Sequence, residues 1–164
     1  MFLFGCKTMD KSPTAVGHTD LNKYAGVWYE IASFPMRFQK GCHCTSAEYT
    51  LMPAGYVKVV NRCRKHSEQG SWSSVSGKAF AVEGSNNTKL KVQFFWPFKG
   101  NYWIVMLDDD YQWAVVSAPK KDYLWILNRK RSMDDELYRQ LIETLKAEGY
   151  DTAKLVKTPQ QCDE

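Results

Sequence analysis

Between Val27 and Asn128 the chain alternates apolar and polar residues in eight separate runs, and beyond Ser132 the period lengthens to that of a helix. Before the first run, Asp20 is suited to cap a short turn through Leu21 and Tyr24, and Gly26 lets the backbone swing into extended geometry. In Val27 to Phe34, alternation puts Trp28, Glu30, Ala32 and Phe34 on one side and Tyr29, Ile31 and Ser33 on the other. Large apolar groups on both sides predict a strand that is covered on both faces.

Cys44 to Met52 and Tyr56 to Arg64 flank the turn Pro53-Ala54-Gly55 and read as a hairpin. Trp72 to Val82 and Thr88 to Phe95 flank Gly84 to Asn87 as a second, with Leu90, Val92 and Phe94 opposite in face to Lys89, Lys91 and Gln93. Tyr102 to Leu107, Trp113 to Ser117 and Tyr123 to Asn128 complete the series, divided by Asp108 to Asp110 and Ala118 to Lys121. Eight strands at hairpin spacing predict an all-β fold, an eight-stranded up-and-down antiparallel barrel, because closure leaves no unpaired edge. Ser132 then reads as the N-cap of a helix with Asp134, Asp135 and Glu136 in its first turn, and Gly149 ends it. Its stripe of Leu137, Leu141, Ile142 and Leu145 predicts one C-terminal α-helix packed outside the barrel over Tyr29 and Ile31. Ala153 to Val156 is expected to add a short edge strand.

A length of 164 residues fits one domain that can bury a core or enclose a cavity. Aromatic residues reach 14%, high enough that they must line or fill something. The net charge of +4 is mild and local, far from the clustered basic stripe of a nucleic-acid binder. No run is long and apolar enough to predict a membrane-spanning helix.

Five cysteines, Cys6, Cys42, Cys44, Cys63 and Cys162, leave one over after pairing and point to an oxidising compartment with two disulfides. Cys42-His43-Cys44 is too tightly spaced for the usual zinc clip, and neither His18 nor His66 supplies a matching partner, so no metal site is expected. Leu3-Phe4-Gly5-Cys6 resembles the end of a bacterial lipobox, in which Cys6 would carry the acyl anchor and Lys7 to Thr19 would be a tether. Residues 1–19 are therefore expected as a leader and possible lipoprotein attachment, and residues 20–164 as the barrel domain.

Three separated signatures resemble the lipocalin family: Gly26-Val27-Trp28, the turn from Asp108 to Tyr111, and Arg129 at the end of the last strand. The likeness is nearest to the bacterial outer-membrane lipocalins and the apolipoprotein D branch, through YAGVWYEIASFP, FFWPFKGNYWIV and DYLWILNR. It implies that Arg129 stacks on Trp28 at the closed end, a cation–π contact with a structural role. It also implies a disulfide from Cys44 to Cys162 in the tail, which leaves Cys42 with Cys63. Because Cys63 falls roughly opposite Cys44 in the hairpin, Cys44 with Cys63 is the rival pairing.

The resemblance implies a cavity for a fatty acid or lysophospholipid, in a protein of the bacterial outer membrane or a soluble periplasmic or secreted one, as a monomer or homodimer. Alternation places Glu30, Phe34, Tyr49, Val59, Asn61, Phe94, Tyr102, Ile104 and Trp125 inward, with Tyr102 and Trp125 near the open end. The four loops there carry Arg37, Lys40, Arg64, Lys65, Lys99, Lys120 and Lys121, and an apolar cavity under a basic rim suits an anionic head group. Met36, Phe38, Trp96 and Phe98 are rim residues able to touch a membrane or a second subunit. No cofactor is expected in this reading. Two other readings use the same barrel: an isomerase or synthase working through Cys63 or Glu30, and a tetrapyrrole carrier using His43 or His66. No GxSxG elbow or phosphate loop is present to supply another chemistry.

Overall fold

The computed structural model describes residues 11–95 and 98–163. Its eight antiparallel strands close in sequence order: β1 (Gly26–Ser33), β2 (Cys42–Leu51), β3 (Val57–Lys65), β4 (Trp72–Ala81), β5 (Lys89–Phe95), β6 (Phe98–Leu107), β7 (Trp113–Ser117) and β8 (Leu124–Asn128). β1 pairs with β8 on one side and with β2 on the other, which completes the barrel, and a short β9 (Val156–Lys157) lies against the upper half of β1. The turn α1 (Leu21–Tyr24) sits at the closed end, with Asp20 Oδ1 accepting from the Asn22 N–H. Chain before it is also packed: the Val16 N–H donates to Ile104 O, and Thr19 is fully buried.

Alternation along the strands makes two cores. Trp28, Leu90, Ile104, Ala114, Val116 and Leu127 point into the lower barrel, while Val105, Val115, Leu124 and Ile126 point out beneath the helix α2 (Asp135–Ala147). Leu141 and Leu145 seal that outer core, each contributing about 1.5–3 kcal/mol on burial. The helix is capped by Asp134, not Ser132: Asp134 Oδ1 accepts from the Leu137 N–H, while the Ser132 carbonyl accepts from Asn128 Nδ2. Gly149 ends the run at φ +89°, where the Tyr150 N–H reaches back to Leu145 O.

The covering of β1 differs from simple alternation. A bulge between Glu30 and Ala32 shifts the register against β8, so Ile31, Ala32 and Phe34 all join the outer core. Phe34, expected in the cavity, therefore packs under the helix. Ile31 lies beneath the helix as expected, whereas Tyr29 does not belong to that core and instead carries Arg131 over its ring at 4.8 Å. The expected edge strand at Ala153 to Val156 is displaced: residues Thr152–Lys154 form a 3₁₀ turn and the strand is Val156–Lys157.

Beyond β9 the tail fills the seam where β1 and β2 part. Thr158 N–H donates to Ile31 O, Gln160 Nε2 donates to both Glu30 O and Thr45 O, and the Cys44 N–H donates to Pro159 O. Cys44 and Cys162 are joined by a disulfide with Cα atoms 6.3 Å apart. Cys42 and Cys63 form the other, at 5.4 Å. A bulge in the β2–β3 register between His43 and Ser46, with Cys44 at φ +55°, turns Cys44 away from Cys63 and toward the tail, so the rival pairing is not formed.

Candidate ligand-binding cavity

One end of the barrel is plugged before any cavity begins. The Arg129 guanidinium lies 3.8 Å from the centre of the Trp28 ring and donates to Val27 O, Lys23 O, Tyr24 O and, through Nε, Tyr111 O. Trp28 Nε1 donates to Tyr24 O, so one indole and one guanidinium hold α1, β1 and the β6–β7 turn together. Gly26, at φ +99°, passes so close to Arg129 that a Cβ there would stand 3.3 Å from Nη1. In the β6–β7 turn, Asp108 Oδ2 accepts from the Gln112 N–H, and Tyr111 Oη accepts from the Asp20 N–H. All three signature segments thus meet at this end.

Above the plug lies a cavity of about 560 Å³ with a mainly apolar wall, within the roughly 300–1,000 Å³ usual for small-molecule sites. Glu30, Tyr49, Val59, Asn61, Phe94, Tyr102 and Trp125 line it, as alternation places them. Phe34 does not, and Ile104 packs in the core below. Gly77 makes room for the wall: a Cβ at that position would come within 2.7 Å of the Phe94 ring.

Tyr102 is deeper than expected. β6 begins at Phe98 rather than at Tyr102, which moves Tyr102 from the mouth toward the floor. There its hydroxyl lies 2.6 Å from Tyr24 Oη and 2.9 Å from Tyr49 Oη. Tyr24 itself packs 4.9 Å from Trp28, so the polar triad rests directly on the plug. Burial pushes the Tyr49 hydroxyl up to about 12 and pushes Tyr24 and Tyr102 well above the ordinary tyrosine value, with Tyr49 adding to the rise at Tyr24 and both neighbouring phenols adding to it at Tyr102.

These shifts have a direction that can be tested. Below the ordinary value of 10.0 both folded and unfolded chains keep the three protons, and stability through them is fully present. Above it the unfolded chain releases them while the folded chain holds on, so stability falls as pH rises from 10.0 to about 12. Tyrosinate absorbance is expected to rise in that window together with loss of near-ultraviolet circular dichroism. Tyr102→Phe should flatten the pH slope and cost about 1–3 kcal/mol at neutral pH by leaving two buried hydroxyls short of a partner. Titration of all nine tyrosines near 10.0 without unfolding would contradict the buried triad.

The basic residues expected at the mouth divide. Lys99 lines the cavity and also lies 4.6 Å from the Phe80 ring, while Arg37, Lys40 and Lys120 are exposed around the rim. Arg64 stacks on Trp72 at 4.5 Å and donates to Gly70 O and Asp163 O, Lys65 reaches Cys42 Sγ, and Lys121 donates to Glu148 O at the end of α2. Phe38 is 68% exposed yet contributes to the cavity wall. Trp96, the side chain of Phe98 and Cys6 lie outside the described residues.

Cys63 is spent in a disulfide and offers no thiol, and both oxygens of Glu30 accept hydrogen bonds, Oε1 from Ser33 and Thr158 and Oε2 from Gln39. Neither His43 nor His66 faces the cavity. Among the described residues Cys44, Glu68 and Cys162 lie near one another, but the two sulfurs are bonded together. Alternation could not reveal Tyr24, Gln39, Thr158 or Gln160, because they sit on a helical turn, a 3₁₀ turn and the tail, where no period of two runs.

Comparison with known proteins agrees with this geometry. The lipocalin-like domain model matches residues 19–160. Temperature-induced lipocalin-1 of Arabidopsis thaliana is 41% identical over 162 residues, covering 93% of this chain and 86% of that protein. The outer membrane lipoprotein Blc of Vibrio cholerae is 38% identical, with 98% and 94% covered. Insecticyanin of the tobacco hornworm Manduca sexta shares the fold at a TM-score of 0.71 and 21% identity, over 90% of this chain and 83% of that one. Matched along nearly its whole barrel by the family model and by relatives from a plant and a bacterium, the chain belongs to the lipocalin family.

Proposed function

We propose that the protein binds one single-chain amphiphilic lipid, a fatty acid or a lysophospholipid, in its barrel and carries or stores it at the cell envelope. The observation that carries this reading is the cavity itself: about 560 Å³, apolar along its wall, closed by Trp28 and Arg129 below and open beside Lys99 above. An acyl chain would run down past Val59, Phe94 and Val92 to the Tyr49 and Tyr102 hydroxyls, with Glu30, Asn61 and Trp125 higher on the wall. Arg37, Lys40 and Lys120 around the rim favour a phosphate or carboxylate leaving the mouth. The envelope location draws on Cys6 as a candidate acylation site in the sequence and on the Vibrio cholerae relative being an outer membrane lipoprotein.

Binding needs no chemistry, and of the two residues named for an enzyme reading Cys63 is in a disulfide and Glu30 accepts bonds from Ser33, Gln39 and Thr158. Trp125→Ala is expected to weaken lipid binding about tenfold, about 1.4 kcal/mol, without moving the melting curve. Titration calorimetry with palmitate and with a palmitoyl lysophospholipid reads this directly. Unaltered affinity for both would remove Trp125 from the site, and no binding of either lipid by the wild type would remove the function.

A further inference from the structure

The tyrosine triad at the cavity floor carries more protons than its own bonds consume. Tyr102 Oη lies 2.6 Å from Tyr24 Oη and 2.9 Å from Tyr49 Oη, either oxygen of each pair can donate, and among the described residues the three hydroxyls make no other hydrogen bond. A closed ring of three would use every proton. This chain is open, because no bond joins the Tyr24 hydroxyl to that of Tyr49, so one O–H always ends without an acceptor among the described residues.

The surroundings of each ring decide where that proton falls. Tyr24 is buried against Trp28 and does not line the cavity, whereas Tyr49 and Tyr102 do. If Tyr49 donated to Tyr102 and Tyr102 to Tyr24, the spare O–H would be locked in the core below the cavity, where an unpaired donor is costly. The reverse order, Tyr24 to Tyr102 to Tyr49, brings it to a ring that borders the cavity. Val59 stands opposite Tyr49 in the β2–β3 ladder and Leu90 opposite Tyr102 in the β5–β6 ladder, and neither side chain can accept it. An acyl chain that fills the barrel excludes water from this end, and a methyl terminus then leaves the proton with no acceptor.

We propose that Tyr49 and Tyr102, backed by Tyr24, form a hydrogen-bonding site for an oxygen at the leading end of the ligand, so that the chain entering the barrel ends in an alcohol, carbonyl or carboxyl group rather than a methyl. This rests on the lipid-carrier reading and adds a requirement at the buried end of the ligand, independent of its head group. A terminal alcohol suits the floor best. It accepts the spare phenol proton and can return its own to a lone pair that the triad leaves open.

The test is calorimetric titration of palmitate, ω-hydroxypalmitate and α-hydroxypalmitate, with laurate and ω-hydroxylaurate as a shorter pair, each below its micelle threshold. The proteins are wild type and the triple variant Tyr24→Phe, Tyr49→Phe, Tyr102→Phe, which keeps every ring and removes every hydroxyl, so that it leaves no orphaned donor and should fold. Wild type should bind an ω-hydroxylated chain about tenfold more tightly than its methyl-ended parent at one length or both, and α-hydroxypalmitate no more tightly than palmitate. The triple variant should reverse the order, because the alcohol then enters a wholly apolar floor. The wild-type comparison decides by itself. Methyl-ended chains bound as tightly at both lengths, an α-hydroxyl that gains as much as the ω-hydroxyl, or a preference that survives in the triple variant overturns the floor site and leaves the carrier standing. Failure of wild type to bind any of these chains overturns both.

Discussion

Trp28→Ala is expected to lower the stability of the barrel by about 3–5 kcal/mol, the range for removing a large buried ring. The indole is completely buried, touches Tyr24 at 4.9 Å and is covered by the Arg129 guanidinium at 3.8 Å. Its loss empties the floor of the inner core. The four carbonyls that Arg129 holds would then depend on a guanidinium with no ring beneath it, although partial burial already pulls its pKa down from the ordinary value. Urea unfolding followed by circular dichroism should show the midpoint falling with the slope preserved. An unchanged midpoint would show that the plug is not what holds the closed end.

Separating Cys44 from Cys162 by Cys162→Ser should cost nearly as much, about 2–5 kcal/mol. The bond spans 118 residues of sequence, so the unfolded chain gains far more freedom when it is cut than when Cys42–Cys63, spanning 21, is cut. Loop-closure entropy alone gives about 5 kcal/mol for the longer loop and about 3 kcal/mol for the shorter. A second consequence is local. With the anchor gone, Thr158 and Gln160 should exchange their places along β1 and β2 for water, and amide exchange should quicken at Thr158 and Cys44 before the rest of the sheet. Equal loss on cutting either disulfide, with no local quickening, would argue against the tail as the closure of the β1–β2 seam.

Strands, their order and the barrel were legible in the sequence because one face of each strand meets the interior and the period of two records it. The inward positions Tyr49, Val59, Asn61, Phe94 and Trp125 follow from that period alone. Phe34 does not, because both faces of β1 are covered and a bulge between two apolar faces leaves no polar residue out of place to betray it. Tyr102 lies deeper than the sequence pattern places it, because Phe98 and the residues beside Gly100 do not look like the start of a strand, although they pair with β5 there. Between Ser132 and Asp134 the residue types are equally good caps, and only the three-dimensional demand of Asn128 for the Ser132 carbonyl separates them. The tail has no period at all. Its place is set by one disulfide and a few side-chain amide and hydroxyl bonds to β1 and β2, which a single sequence does not announce.

The central claim, that the cavity holds one single-chain amphiphile, is tested most directly by native mass spectrometry of the full-length protein purified from its own cells without detergent, followed by extraction and identification of what is released. The expected result is a complex carrying one lysophospholipid or fatty acid per barrel, lost on dissociation and reduced in Trp125→Ala. A barrel that is consistently empty, or that releases a coloured ring compound instead of a lipid, would contradict it.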